Sequence, residues 1–445
     1  MSSRTFLRAL AGIVALGVLV RIAYLLTWGH DVQGYGDWNF FHWQANAIAD
    51  GQGFLEPFRL RLGHELRPSA AHPPLYPLLL SGPSVLGLDS VMAHRAAGVL
   101  CGGATIALVG LVGRRAGGAA LGARLGLAAA AVCALYPLMI AVDGALMSET
   151  LFGALIAAML LAAYRFHERP GTARALVLGA LIGLATLTRA EAILFLPFLV
   201  LPLAWRAASH RWRTGLLALA ACLLVIAPWT IRNVAVFDDF VFVSTNDSTV
   251  VAGANCERTY YGDRIGGWVV QCLPPRTQDD EGAQGAVTRQ QGMDYALDHV
   301  GRWPVVVGAR FLRVWDLYDP AQELDFAEGR DRGTEIAGVA VYYLLLLLAI
   351  PGALLLRRRG VGWLILLSPI AVVVVAAIVG YGTPRLRHSF EPALCVLAAA
   401  GGLLIWDRLR GRARTSRPAA PAPAPDRPPA TPGPAGPPPG PSPAA

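Results

Sequence analysis

Asp37 lies in the run Gly34-Tyr35-Gly36-Asp37-Trp38-Asn39-Phe40-Phe41-His42-Trp43, just past the first long apolar stretch. A carboxylate kept where a spanning helix meets water, among aromatics, is a candidate for chemistry at the bilayer face. One role is general base, because transfer of a group to a hydroxyl requires removal of a tightly held proton. The other is a helix N-cap ahead of Phe40-Phe41. A second acidic pair, Asp143 and Glu149, flanks a short turn between apolar runs. Ser148 can cap the helix that follows, with Glu149 in its first turn, where the macrodipole favours an anion. Either acid can instead contact a substrate.

Cations accompany these acids. Arg189, in Thr188-Arg189-Ala190-Glu191, either pairs with Glu191 or reaches substrate. Arg385 and Arg387, in Tyr381-Gly382-Thr383-Pro384-Arg385-Leu386-Arg387-His388-Ser389-Phe390-Glu391-Pro392, are two apart, so an extended backbone points both to one side. Paired guanidiniums suit a phosphate, with snorkelling to lipid headgroups as the alternative. His72, ahead of the rigid Pro73-Pro74, can donate to a phosphate or sit at the surface of a loop. Cys256 and Cys272 lie outside the apolar runs. A disulfide between them closes a loop of about 15 residues and contributes about 3 kcal/mol, as a structural staple on an oxidising exterior. The sequence has no Gly-rich phosphate loop, nucleophile elbow, zinc spacing or other metal set, and Asp238-Asp239 reads as a turn. That pattern argues against ATP-driven transport and the familiar hydrolases, and it calls for no cofactor.

The elements that must hold these residues are membrane helices. The chain is 54% hydrophobic and only 15% charged, with mean hydropathy +0.47, in blocks long enough to cross a hydrocarbon core that takes about 20 helical residues. We expect an all-α polytopic protein with about ten spans, near 8–28, 92–113, 121–142, 147–165, 174–188, 191–206, 214–230, 336–356, 361–381 and 388–406. The first is read as a retained span, because Gly29-His30-Asp31 is no small-residue cleavage site. All 38 basic side chains are Arg. With a cytoplasmic N-terminus, Arg114-Arg115, Arg165 to Arg174, Arg206 to Arg213, Arg357 to Arg359 and Arg408 to Arg417 all fall inside, as the positive-inside rule demands. The formal charge of +8 is thus a matter of topology and not of nucleic acid.

The expected organisation has an N-terminal transmembrane region over 1–230, with a catalytic first outer loop over 29–91 built of short interfacial helices. A small mixed extracytoplasmic subdomain follows over 231–335, with strand-like alternation from Phe237 to Val243. Transmembrane helices return over 336–410, and the Pro/Ala/Gly-rich tail over 416–445 reads as a disordered cytoplasmic extension.

Taken in order, several motifs carry a resemblance: Gly36-Asp37, Ala49-Asp50-Gly51-Gln52-Gly53-Phe54, His72-Pro73-Pro74-Leu75-Tyr76-Pro77 and Ser148-Glu149-Thr150-Leu151-Phe152. They continue with Leu187-Thr188-Arg189-Ala190-Glu191, Ala227-Pro228-Trp229-Thr230-Ile231-Arg232-Asn233 and Arg385 to Pro392. The set resembles the bacterial multi-spanning glycosyltransferases of the GT-C class, in particular the family related to protein O-mannosyltransferases and to the lipid A aminoarabinose transferase. The resemblance implies a polyprenyl-phosphate-linked sugar donor and transfer on the outer face of the cell membrane, with no nucleotide sugar. It implies an envelope glycan, lipid or protein as acceptor. It puts Asp37 at the first-loop catalytic acid, Glu149 at the second-loop acid and His72 where a basic residue beside Pro approaches the lipid phosphate. Arg385 and Arg387 match basic residues near the last span. A single acid after Gly36, where the protein mannosyltransferases carry Asp-Glu, weighs against a protein acceptor.

The competing reading is a transporter or flippase for a lipid-linked glycan, with the same acids and arginines lining a cavity. Transporters tend to show internal repeats and broken midplane helices carrying charge. Here the charges sit at the edges of the apolar runs, which favours an enzyme.

Overall fold

The computed structural model describes residues 1–29, 36–206, 211–324, 330–360 and 362–415, with backbone only at 211 and 411–415. The tail over 416–445 lies outside the described residues. The first apolar run forms α1 (Ser3–Thr27). Between it and the second span lie three short helices, α2 (Asp37–Ala49), α3 (Pro57–Gly63) and α4 (Leu75–Val85). They pack through a small cluster of Phe40, Phe41, Ala45, Tyr76, Leu80 and Leu146, which gives the connection between the first two spans its own core.

The central bundle continues with α5 (Val91–Ala116), α6 (Gly118–Leu135), α7 (Pro137–Gly144), α8 (Glu149–Glu168) and α9 (Thr172–Thr186). The third expected span, 121–142, is therefore two helices. Tyr136 adopts an extended backbone because the ring of Pro137 excludes the helical region for the residue before it. The sixth expected span, 191–206, is also irregular. It runs as a 3-10 turn over Ala190–Leu194, a π turn over Leu196–Val200 and α10 (Leu201–Arg206). Pro197 and Pro202 each remove a backbone donor and crowd the preceding turn, so the regular ladder cannot run through. Next comes α11 (Arg211–Val236).

After α11 the chain forms α12 (Asn246–Ala254), α13 (Glu257–Tyr260), α14 (Glu281–Asp298), α15 (Trp303–Val314) and α16 (Pro320–Leu324). The strand expected over Phe237 to Val243 does not form, and the region is helical and irregular rather than mixed. Its carbonyls are taken by side chains at the end of α11: Trp229 Nε1 donates to Val243 O at 2.6 Å, Thr230 Oγ1 to Phe242 O at 2.8 Å and Asn233 Nδ2 to Val241 O at 3.3 Å. With its acceptors met this way, the segment needs no sheet partner. Among the described residues the only bridge of strand type is Leu55 to Pro68. Cys256 and Cys272 are disulfide-bonded, with Cα atoms 6.1 Å apart.

The chain closes with α17 (Arg332–Arg358), α18 (Trp363–Val379), a 3-10 segment over Pro384–Ser389 and α19 (Glu391–Thr415). Among the described residues seven helices are long and apolar enough to cross a membrane, and α9 and α18 are shorter apolar helices. Met1–Leu404 forms one compact unit.

Where α5 and α6 cross, Gly110 and Gly113 face Gly126, and a Cβ on Gly126 would press on the Gly110 carbonyl. Small residues let the two backbones approach closely where the bilayer offers no hydrophobic drive between helices. Arg115 pairs with Glu168 at the far ends of α5 and α8. The starts of α5 and α8 and the end of α9 lie at the opposite end of the bundle, and there the acids and cations singled out above converge.

Candidate active site

Asp37 is the first residue of α2, and Gly36 is the N-cap. The Gly36 N–H donates to Asn39 Oδ1 at 3.0 Å, so the helix end is closed without the Asp37 carboxylate. That side chain, 28% exposed, faces two other groups. Arg385 Nη2 donates to Asp37 Oδ2 at 3.0 Å, and His72 Nε2 lies 3.7 Å from Oδ1. The His72 ring packs on Phe40 and Phe41, with centroids 4.6 and 5.0 Å away.

His72 is positioned by a braced loop. The Ala70 N–H donates to Glu281 Oε1 at 2.9 Å, the Thr245 N–H donates to Ala70 O at 2.9 Å, and Thr245 Oγ1 closes the triangle on Glu281 at 2.7 Å. Arg232 donates to Ser69 O and Phe54 O, each at 3.1 Å. Past the two prolines, the Leu75 N–H donates to Leu187 O at 2.9 Å, which draws the His72 loop beside the turn that carries Arg189.

Glu149 opens α8 and is almost fully buried. Its Oε1 accepts from Arg385 Nε at 2.7 Å and lies 2.9 Å from Arg189 Nη1. Arg189 Nε in turn donates to Glu191 Oε1 at 2.7 Å. The result is one alternating chain of charge, Asp37–Arg385–Glu149–Arg189–Glu191, with His72 at its open end. The structure thus brings together Asp37, Glu149, His72, Arg189 and Arg385 from five separate stretches of sequence.

Burial works against the Asp37 carboxylate, but the charges of His72 and Arg385 outweigh it and hold the carboxyl below its ordinary 3.8. Arg385 is the dependable partner, because burial pushes His72 itself below its ordinary 6.5 and toward the neutral form. Burial opposes the Arg189 charge as well, yet Glu191 and Glu149 prevail and raise its pKa.

Two further sequence candidates point elsewhere. Arg387 lies in the 3-10 segment and not in an extended stretch, so it diverges from Arg385. Its guanidinium binds Asp316 Oδ2 at 2.6 Å and Glu391 Oε1 at 3.0 Å, and lies 3.6 Å over the Tyr342 ring. Asp143 is buried against Arg21, whose Nε donates to Oδ2 at 2.6 Å, and Thr150 Oγ1 donates to Oδ1 at 2.5 Å. Because Thr150 follows Glu149, this contact fixes the start of α8 from behind. Gly102 of α5 makes room for the pair, since a Cβ there would collide with the Asp143 carboxylate.

Sequence reasoning missed Asp316. It sits just after α15 with φ +55°, a left-handed backbone that a non-glycine residue keeps only under constraint. Its setting, Trp315-Asp316-Leu317-Tyr318, repeats the acid-among-aromatics signal of Asp37 and was the available clue. Among the described residues no group of three or more His, Cys, Asp or Glu gathers as a metal site would need.

Residues 71–231 match the family model described as dolichyl-phosphate-mannose-protein mannosyltransferase. No curated protein matches the chain in sequence. Among solved structures it resembles the oligosaccharyltransferase AglB from Archaeoglobus fulgidus, solved with an inhibitory peptide and a dolichol-phosphate. That match has TM-score 0.56 and 16% identity, over 93% of this chain and 52% of that one. The same oligosaccharyltransferase with zinc and sulfate gives TM-score 0.55 at 15% identity, over 92% and 50%. ArnT from Cupriavidus metallidurans, bound to undecaprenyl phosphate, gives TM-score 0.42 at 14% identity, over 93% and 81%. The chain spans about half the length of the oligosaccharyltransferase it matches. By fold, then, it is a multi-pass membrane protein with the GT-C architecture. The mannosyltransferase family model covers the part from the His72 loop to the last turns of α11, which carries His72, Glu149 and Arg189.

Proposed function

We propose that the chain is a membrane glycosyltransferase. It moves a sugar from a polyprenyl-phosphate donor to an acceptor of the cell envelope, at the extracytoplasmic face of the plasma membrane. The observation that carries this reading is the Asp37–Arg385–Glu149–Arg189 chain of contacts, at the end of the bundle away from Arg115 and Glu168. The leaving group is an anionic lipid phosphate, and fixed cations stabilise its departure. In the resting arrangement Arg385 holds Asp37. A donor phosphate competing for that guanidinium releases the carboxylate, which then takes the acceptor hydroxyl's proton. The same carboxylate faces the positive charge that builds on the sugar as the bond to phosphate breaks. His72, neutral and braced, offers a ring nitrogen to the phosphate or to Asp37. Glu149 keeps Arg385 and Arg189 side by side. The fold supports the reading as well, since AglB, which shares it, was solved with a dolichol-phosphate.

Asp37→Asn in the purified full chain tests it. Donor binding should stay within about twofold of the unmodified protein, while transfer falls by about 10²–10⁴-fold. Transfer that survives the substitution refutes the assignment, and lipid-linked glycan movement without any transfer points to a flippase. Mass spectrometry of lipid-linked sugars and envelope glycans, with and without the protein, then identifies the sugar and its acceptor.

A further inference from the structure

At the end of the bundle away from Asp37, two adjoining cavities open among α5, α6, α8 and α9. The smaller, of about 360 Å³, is lined by Arg115 of α5, Arg165 and Glu168 of α8, Arg169 in the turn that follows and Arg174 of α9. The larger, of about 760 Å³, shares Arg115, Arg165 and Glu168 with it and adds Arg114 of α5. Its floor is apolar, from Leu111 of α5, Leu127 of α6 and Leu161 of α8. Leu161 lies about two turns before Glu168, so the crevice reaches about 10 Å from its arginine rim into the bundle.

The charge on that rim is not balanced by the acids that line it. Glu168 is the one acid lining either cavity, and it is bound to Arg115. Arg165 and Arg169 pair with no acid among the described residues. Arg114 Nη2 donates to Ser3 Oγ at 2.9 Å and Arg174 Nη1 to Arg169 O at 2.6 Å, both neutral acceptors. The positive-inside rule accounts for arginines at these helix ends, but it does not gather them around a common hollow. Like charges held together repel, and an anion between them offsets that cost.

We propose that the two cavities form one site for a phosphate ester carried by an anionic membrane lipid. The phosphate sits among Arg115, Arg165, Arg169 and Arg174, and an acyl chain lies along Leu111, Leu127 and Leu161. Basic pockets between spanning helices bind lipid headgroups in this way. A soluble phosphate compound offers the same anion but leaves the apolar crevice unfilled, so the lipid is the better fit. Once bound, it ties α5, α6, α8 and α9 together, and the site does not depend on transfer at the Asp37 end.

The test uses the full chain, purified in detergent and titrated with lipid under native mass spectrometry. The probes are phosphatidylglycerol, phosphatidylcholine and inorganic phosphate. Phosphatidylglycerol should bind about 25-fold tighter than phosphatidylcholine, from about fivefold for each of the two arginines without an acid. Arg165→Gln with Arg169→Gln should abolish that preference. Arg358→Gln with Arg359→Gln removes the same charge from the end of α17, outside both cavities, and should leave the preference within about twofold. Leu127→Trp narrows the crevice without touching a charge, and should lower phosphatidylglycerol affinity by about tenfold. Each variant should elute on size exclusion like the unmodified chain, which reports that it folds. No preference for phosphatidylglycerol, or an equal loss in both arginine pairs, overturns the proposal, because a general surface field would then suffice. Displacement of the lipid by inorganic phosphate, with Leu127→Trp without effect, would keep the phosphate chemistry and overturn the lipid.

Discussion

Asp37 and Glu149 are both first residues of helices and both pair with Arg385, yet their surroundings give them different work. The Glu149 side chain is 4% exposed and faces two guanidiniums, whereas Asp37 is 28% exposed and holds one. The open carboxylate can reach an incoming hydroxyl; the closed one fixes the cations. This predicts a pH profile. A base acts only when deprotonated, so kcat/KM falls as pH drops through the Asp37 pKa, which lies below 3.8. No acid limb from Asp37 should appear between about pH 5 and 8. Arg385→Met removes the counter-charge, raises the Asp37 pKa, and should move the acid limb upward by about 1–3 units, with lower activity throughout. An unmoved limb would mean that Arg385 does not set the charge on Asp37. At this scale Asp37, His72, Glu149, Arg189 and Arg385 were legible, because isolated charges at the ends of apolar runs need a purpose. The divergence of Arg387 from Arg385 was not. A 3-10 turn rotates residues two apart by about 240°, whereas an extended strand returns them to one side. Nothing in the local sequence announces that turn.

Among the elements, one buried pair helps to set where α8 begins. Arg21 of α1 bonds Asp143 of α7 and donates to Gly17 O at 3.1 Å and Ala134 O at 3.0 Å, and Asp143 accepts from Thr150 of α8. Removing one member of a buried pair strands the other, at about 3–5 kcal/mol. Arg21→Leu should therefore cut the yield of folded protein and lower its thermal midpoint, read by size-exclusion and by scanning in detergent. A variant that folds like the unmodified chain would leave the pair without a structural role. A gentler element-level prediction concerns Glu281, which braces the His72 loop from α14. Glu281→Gln keeps an acceptor oxygen and should leave kcat and KM within about twofold, while Glu281→Ala loosens His72 and raises KM by about fivefold or more. Equal effects from both would point to the charge and not the brace. Helix positions were legible at this scale, from apolar length and Arg-marked ends. The break at Tyr136-Pro137 and the π turn over Leu196–Val200 follow from prolines that apolarity alone does not weigh. The apparent strand at Phe237 to Val243 was misread because the side chains that take its carbonyls lie up to 14 residues away in α11.

For the whole molecule, the two ends of the bundle differ in kind. One carries Arg115 paired to Glu168, with Arg114 lying 4.4 Å over the Phe6 ring. The other carries the acid–arginine chain, the braced His72 loop and the disulfide-bearing helices. Cytoplasmic loops accumulate Arg, and a bond such as Cys256–Cys272 persists where the milieu oxidises. The two signals are independent, and both support the proposal that the Asp37 end faces outward. Cysteine labelling in intact cells checks this directly. After mild reduction, a membrane-impermeant maleimide should reach Cys256 and Cys272 from outside. A cysteine placed by Arg169→Cys, in the short turn between α8 and α9, should label only once the membrane is opened. The buried Cys133, Cys222 and Cys395 should stay silent in both arms. Labelling of Arg169→Cys in intact cells would invert the bundle and put Asp37 in the cytoplasm. There nucleotide sugars are at hand, and a lipid-phosphate donor would lose its rationale.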